Sequence, residues 1–135
     1  MLILIYFNMM FIDFLDTSLK QLKCNQLTKS YIINVLNKYQ KQHNDLSNDS
    51  ITILYQKATE DNNFVLFQNI ADWIFFIESI FPDFHKDYKS YAQTIGQLSY
   101  YKCYKLINKQ IYVYENMADE FKTLTRQINF LIHNN

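Results

Sequence analysis

The sequence predicts an all-α fold, a helical bundle of five or six helices, and three observations carry that prediction. The first is the near absence of chain punctuation: 135 residues include one Gly and one Pro, whereas tight hairpins need residues that adopt positive φ. The second is that apolar residues return every three or four positions along most of the chain. The third is the balance of 49% apolar against 19% charged residues, which supports a core and lies outside the disordered range. The length fits one domain spanning residues 1–135, and no segment reads as a linker.

Met1 to Leu15 is apolar apart from Asn8 and Asp13. No basic residue precedes Lys20 and no small-residue cleavage site follows, so it lacks the marks of a secretory signal. It is also shorter than the ~20 residues that cross a bilayer. A first core helix is the expectation, and a membrane anchor formed by residues 1–15 is the less favoured alternative. Thr28 is the expected N-cap of a helix whose face is Tyr31, Ile32, Val35, Leu36 and Tyr39. Gln42 to Asp49 is polar and reads as a loop. Ser50 is expected to cap a helix to about Ala58, with Ile51, Leu54 and Tyr55 inward, and Glu60 to Asn63 forms the next break.

Phe64 to Phe81 carries Leu66, Ile70, Trp73, Ile74, Ile77, Ile80 and Phe81 on one stripe, with Phe75 and Phe76 on other faces. A helix apolar nearly all round belongs at the centre of its bundle, and Pro82 ends it. The next helix starts at about Phe84 or Asp87 and runs to Leu106, with Tyr88, Tyr91, Ala92, Ile95, Leu98, Ser99, Cys103 and Leu106 inward. Gly96 lies inside it at a cost of about 1 kcal/mol relative to Ala, which implies close approach of another helix. A last helix from about Gln110 to Ile132 presents Ile111, Tyr114, Ala118, Phe121, Leu124, Ile128 and Leu131.

Several function classes are excluded on composition. Thirteen Lys and Arg balance thirteen Asp and Glu, without the basic excess of a nucleic-acid binder. One glycine cannot build a phosphate-cradling loop, so no nucleotide cofactor is expected. Cys24 and Cys103 are too few and too far apart for a disulfide framework or a C-x-x-C pair; they read as reduced thiols of a cytoplasmic protein. The residues three before His43, His85 and His133 are Gln40, Pro82 and Phe130, so the Glu-x-x-His pattern of di-metal bundles is missing. The three imidazoles are expected in solvent, and no metal is predicted. Cys103 reads as a packing residue, and Glu115, Asp119 and Glu120 as acids that complement a helix dipole. No catalytic residue emerges.

Two features stand out. Asp72 precedes Trp73 on the helix that is apolar nearly all round, and a buried carboxylate must find hydrogen-bond donors or take up a proton. The expected donors are hydroxyl or backbone groups rather than Arg126, which lies opposite the apolar stripe of its own helix. Asp72 with Tyr91, an inward tyrosine of the following helix, is the predicted buried polar node. The second feature is Tyr100, Tyr101 and Tyr104, expected opposite the inward stripe and therefore on the surface. Exposed tyrosines offer large contact area at low entropic cost, which suits a partner surface. The functional expectation is a non-enzymatic interaction domain, in the first instance a homodimer. The alternative is a bundle holding a small apolar or aromatic ligand beside Asp72, which requires an internal cavity on the ~300–1,000 Å3 scale of ligand sites.

The segments NIADWIFFIESIFPDF (69–84), YAQTIGQLSYYK (91–102) and YENMADEFKTLTRQINFL (114–131) resemble a family of small uncharacterised helical bacterial proteins. Its pattern reads Gly-Asp-x-x-Leu-Phe, Phe-Phe-Pro, Tyr-Tyr-x-x-x-Gly-x-x-Ala-Tyr, then Glu-Leu-x-x-x-Phe. Asp72, Phe81, Pro82, Tyr91, Gly96 and Tyr100 occupy its places, while Ala71, Ile80, Ala92 and Ser99 depart from it. The resemblance implies a helical architecture and carries no activity.

Overall fold

The computed structural model describes residues 11–41, 48–107 and 111–133, and among them every regular element is helical. The chain is all-α. Among the described residues seven helices appear where five or six were expected, because the C-terminal one is interrupted.

Residues 11–18 form α1, which tightens into a 3-10 turn at Leu19–Gln21. Leu15, Leu19 and Leu22 are buried, which anchors this segment; residues 1–10 of the apolar start lie outside the described residues. Helix α2 spans Gln26–Lys41. Its N-cap is Asn25, whose Oδ1 accepts the Thr28 N–H at 2.8 Å, the standard satisfaction of an orphan donor. Thr28, expected as the cap, sits three residues inside and is buried. The inward face is Ile32, Val35, Leu36 and Tyr39.

Of the loop expected at 42–49, residues 42–47 lie outside the described residues, while Asn48 and Asp49 already belong to α3, Asn48–Asp61. Ser50 therefore lies within the helix and does not cap it. In a chain with one glycine, the left-handed residue that closes α3 is Asn62, at φ 48°; asparagine tolerates that region better than other side chains. Asn63 then caps the next helix, its Oδ1 accepting the Leu66 N–H at 3.1 Å.

Helix α4, Phe64–Ile80, is the axis of the molecule and packs against α2, α3, α5 and α7. Every residue from Ile70 to Ser79 is buried. Full burial of an Ile or Phe contributes on the order of 1.5–3 kcal/mol, so this helix holds much of the apolar stabilisation. Trp73 lies against Tyr39 and Phe76, with centroids 5.8 and 6.2 Å away. The corner Phe81 to Tyr88 follows, with Pro82 in its first turn and a 3-10 turn at Lys86–Tyr88.

Helix α5, Lys89–Leu106, buries Ala92, Ile95, Gly96, Ser99, Tyr100 and Cys103. This face is turned from the expected one, away from Tyr91 and Leu98 and towards Gly96 and Tyr100. The reason is steric. A Cβ built on Gly96 would stand 2.6 Å from Phe121 Cζ and 3.3 Å from Ile74 Cγ2, so α5 meets α4 and α7 at the one position without a side chain.

The expected last helix is two: α6, Val113–Asp119, and α7, Phe121–His133. Glu120, at φ −106° and ψ 16°, interrupts them with neither Gly nor Pro to announce it. Beyond the interruption Phe121 enters the Gly96 notch, with its ring 5.4 Å from Phe75 and 6.0 Å from Tyr100.

Gly96→Ala sets about 1 kcal/mol of helix propensity against about 1–3 kcal/mol of overpacking on a ring that is itself wedged. A net loss of about 1–2 kcal/mol is expected in urea unfolding, and Gly96→Ala with Phe121→Leu should recover most of it.

Candidate functional site

Because α4 is buried all round from Ile70 to Ser79, its one carboxylate at mid-length has no route to bulk water: Asp72 is 4% exposed. Its Oδ1 accepts two phenolic hydroxyls, from Tyr31 at 2.7 Å and Tyr100 at 2.6 Å. One turn earlier on the same helix, Gln68 Nε2 donates to Tyr114 Oη at 2.9 Å and to Tyr31 Oη at 3.4 Å. The network thus joins α2, α4, α5 and α6 through groups spaced i, i+4 on α4. Edge-to-face contacts of Tyr31 with Tyr100 and Tyr114, at 6.2 and 5.7 Å, pack its rings.

Electrostatics fix the roles. Burial pushes Asp72 up from 3.8 to about 6, while the Tyr100 and Tyr31 hydrogen bonds and the Lys38 charge pull it back down. Burial and then the Asp72 charge push Tyr31 and Tyr100 far above the ordinary phenol, so both remain donors. Cys103, buried with Sγ 3.8 Å from the Phe64 carbonyl oxygen, is pushed up to about 12 by burial and by Asp72; it is a protonated packing thiol. The arrangement orients a carboxylate and ties four helices together.

Further buried polar groups, unannounced by any spacing pattern, lie at the end of α4 and in the corner that follows it. Glu78 is 3% exposed and neither carboxylate oxygen has a hydrogen-bond partner. Burial pushes it up from 4.5 to about 7, with Lys89 pulling it down. His85, expected in solvent, is fully buried with both ring nitrogens unpartnered. It lies between Phe84 and Tyr88, with centroids at 4.8 and 5.2 Å, and burial lowers its pKa. The tight corner after Pro82 folds it inward. His133 is exposed and its Nε2 lies 3.2 Å from the Ile80 carbonyl oxygen; His43 lies outside the described residues.

The predicted residues divide between core and surface. Tyr100 is fully buried and belongs to the Asp72 network, which corrects its expected place on the surface. Tyr91 is 39% exposed and pairs with Thr52, Oη to Oγ1 at 2.6 Å, so it is no part of the buried node. Both displacements are the same turn of α5 about Gly96. Tyr101 is 42% exposed and Tyr104 half-buried. They continue into Tyr112, the residue that opens α6, with ring centroids 6.5 Å apart for Tyr101 and Tyr104 and 6.4 Å for Tyr104 and Tyr112. Tyr112 belongs to this strip only through the chain reversal after α5, which no spacing rule reveals.

Surface grooves lie elsewhere. One of ≈ 550 Å3 borders the Phe81 to Phe84 corner together with Asn129 and His133, and one of ≈ 480 Å3 borders α7 beside Lys23. Neither is lined by Asp72. Among the described residues no group of three or more His, Cys, Asp or Glu could hold a metal ion, and no helix is long and apolar enough to cross a membrane.

The two carboxyls give stability a definite pH dependence. Each has a folded pKa above its unfolded one, so its contribution is full below the unfolded value and lost as pH rises through the folded value: from 4.5 to about 7 for Glu78 and from 3.8 to about 6 for Asp72. Glu78→Gln cannot ionise and is expected to exceed the wild type by about 2 kcal/mol at about pH 8, with little difference at about pH 4, in parallel urea melts. Tyr100→Phe is expected to cost about 1–3 kcal/mol while Asp72 is charged, and less once it is protonated. Searches for relatives found no family model, no curated protein and no solved structure that matches the chain.

Proposed function

We propose that the chain is a self-associating helical module whose docking face is the strip Tyr101, Tyr104 and Tyr112, and that it acts in the cytoplasm without catalytic chemistry of its own. The observation that carries this reading is the continuity of three aromatic rings on the surface, extended along α5 by Leu98, which is 42% exposed. Surface tyrosines in register are the kind of residue that supplies most of the energy of an interface.

The borders of the strip favour a second copy as the partner. On one side stand the exposed Lys102 and Lys105, with Lys105 Nζ 5.1 Å from the Tyr101 ring centre. Glu115 also borders the strip, since its charge pushes the Tyr104 hydroxyl upward while that of Lys105 pulls it down. A two-fold axis through the strip brings the lysines of one copy towards the glutamate of the other, the self-complementarity an isologous interface requires. A net charge of +0 adds no long-range repulsion between copies.

Sedimentation velocity on the wild type and on Tyr101→Ala with Tyr112→Ala tests the reading. The wild type is expected to dimerise with Kd on the order of 1–10 µM, and the double variant to be at least ~10-fold weaker, a loss of about 1.4 kcal/mol or more, with unchanged helical content. A wild type that stays monomeric at about 100 µM, where such a Kd predicts mostly dimer, rejects it.

A further inference from the structure

We propose that the ≈ 480 Å3 groove between α7 and the segment following α1 binds a small organic anion, a carboxylate carried on an apolar body. Its size falls in the ~300–1,000 Å3 range of small-molecule sites. It shares no residue with the tyrosine strip and does not depend on self-association.

The α7 wall is a second stripe on an amphipathic helix. Phe121, Leu124, Thr125 and Ile128 face the core, while Thr123, Arg126, Gln127, Phe130 and Leu131 line the groove. Those positions run i, i+3, i+4, i+7 and i+8, so they form one continuous surface. Phe130 and Leu131 give it an apolar end and Arg126 a cationic one. The opposite wall comes from Gln21 and Lys23. It is tied to α7 because the Lys23 backbone N–H donates to Gln127 Oε1 at 3.3 Å, which holds the lysine's segment beside the turn that carries Arg126.

The charge selects the ligand. Arg126 is the only arginine of the chain, and the described lining holds two cations and no acid. Neither cation is paired with a carboxylate among the described residues. A guanidinium presents N–H groups in a fork that matches a carboxylate, and an ammonium across the groove adds a point charge. Thr123 and the two glutamines supply further donors at the rim. Arg126 and Lys23 stand on the two walls of one groove, an arrangement that suits the head group of a single molecule, whereas a lipid surface asks for charges spread across a plane. The occupant is thus a free amphiphilic acid with its head at Arg126 and Lys23 and its body on Phe130 and Leu131.

Decanoate, kept below its micellar range, is the probe, with decanol as its neutral counterpart. It is titrated into the isotope-labelled full chain while amide resonances are followed. Saturable shifts are expected at Lys23, Gln127 and Phe130. Arg126→Gln and Lys23→Gln, both exposed positions, should leave the fold intact and weaken decanoate about tenfold each, and decanol should bind at least about tenfold more weakly than decanoate. Equal affinity of decanoate for wild type and both variants, equal affinity of the acid and the alcohol, or shifts confined to the tyrosine strip would overturn the proposal. Attachment to phosphatidylglycerol vesicles without a response to free decanoate would overturn it as well.

Discussion

Much of the architecture depends on one constraint: a carboxylate in a stretch of helix that is buried on every side must find its donors within the protein. Asp72 meets it with two phenolic hydroxyls on a single oxygen. Each donor comes from a different helix, so the angles of α2 and α5 about α4 are set by the reach of a tyrosine side chain. Apolar contacts are non-directional and tolerate sliding; hydrogen bonds of 2.6 and 2.7 Å do not. Gln68 extends the same control to α6 through Tyr114. Packing brings the helices together and the polar network selects one arrangement among those that packing allows.

The same helix concentrates the molecule's electrostatic tension at its end. Asp72 has donors; Glu78, six residues on, has none, and His85 beyond the corner has none either. The two ends of this polar series respond to pH in opposite senses. Protonation suits a buried carboxyl, while neutrality suits a buried imidazole, so rising pH burdens Glu78 and relieves His85. The α4 to α5 corner is therefore the place where pH acts most directly on the fold.

Much of the fold was legible from the order of residues. The scarcity of Gly and Pro, the stripe of α4, its stop at Pro82 and the close approach implied by Gly96 all follow from rules local to a helix. The burial of Asp72 and the kind of donor it would need were legible as well, from its angle beside Trp73 and from the supply of tyrosines. Which tyrosines would answer was not. Tyrosine is apolar in body and polar at its tip, so Tyr91 and Tyr100 fit either side of α5 equally well in a periodicity argument. The choice between them is made by the Phe121 ring in the Gly96 notch, a contact between residues 25 positions apart in the chain. The interruption at Glu120 escaped for a similar reason: apolar spacing continues on both sides of it, and the change of direction is a matter of tertiary fit. His85 was misplaced because a loop position suggests solvent, whereas a corner this tight turns its side chain inward.

Trp73 has an optical consequence. It is the only indole of the chain, 4% exposed, with its ring nitrogen unpartnered and the Tyr39 and Phe76 rings beside it. Its emission reports a single dry environment at the seam of α2 and α4, without a second chromophore of its kind to blur the signal. Any separation of those helices admits water to the indole and moves its emission to longer wavelength. The protein thus carries an intrinsic gauge of its own interior, placed one residue from the carboxylate that orders it.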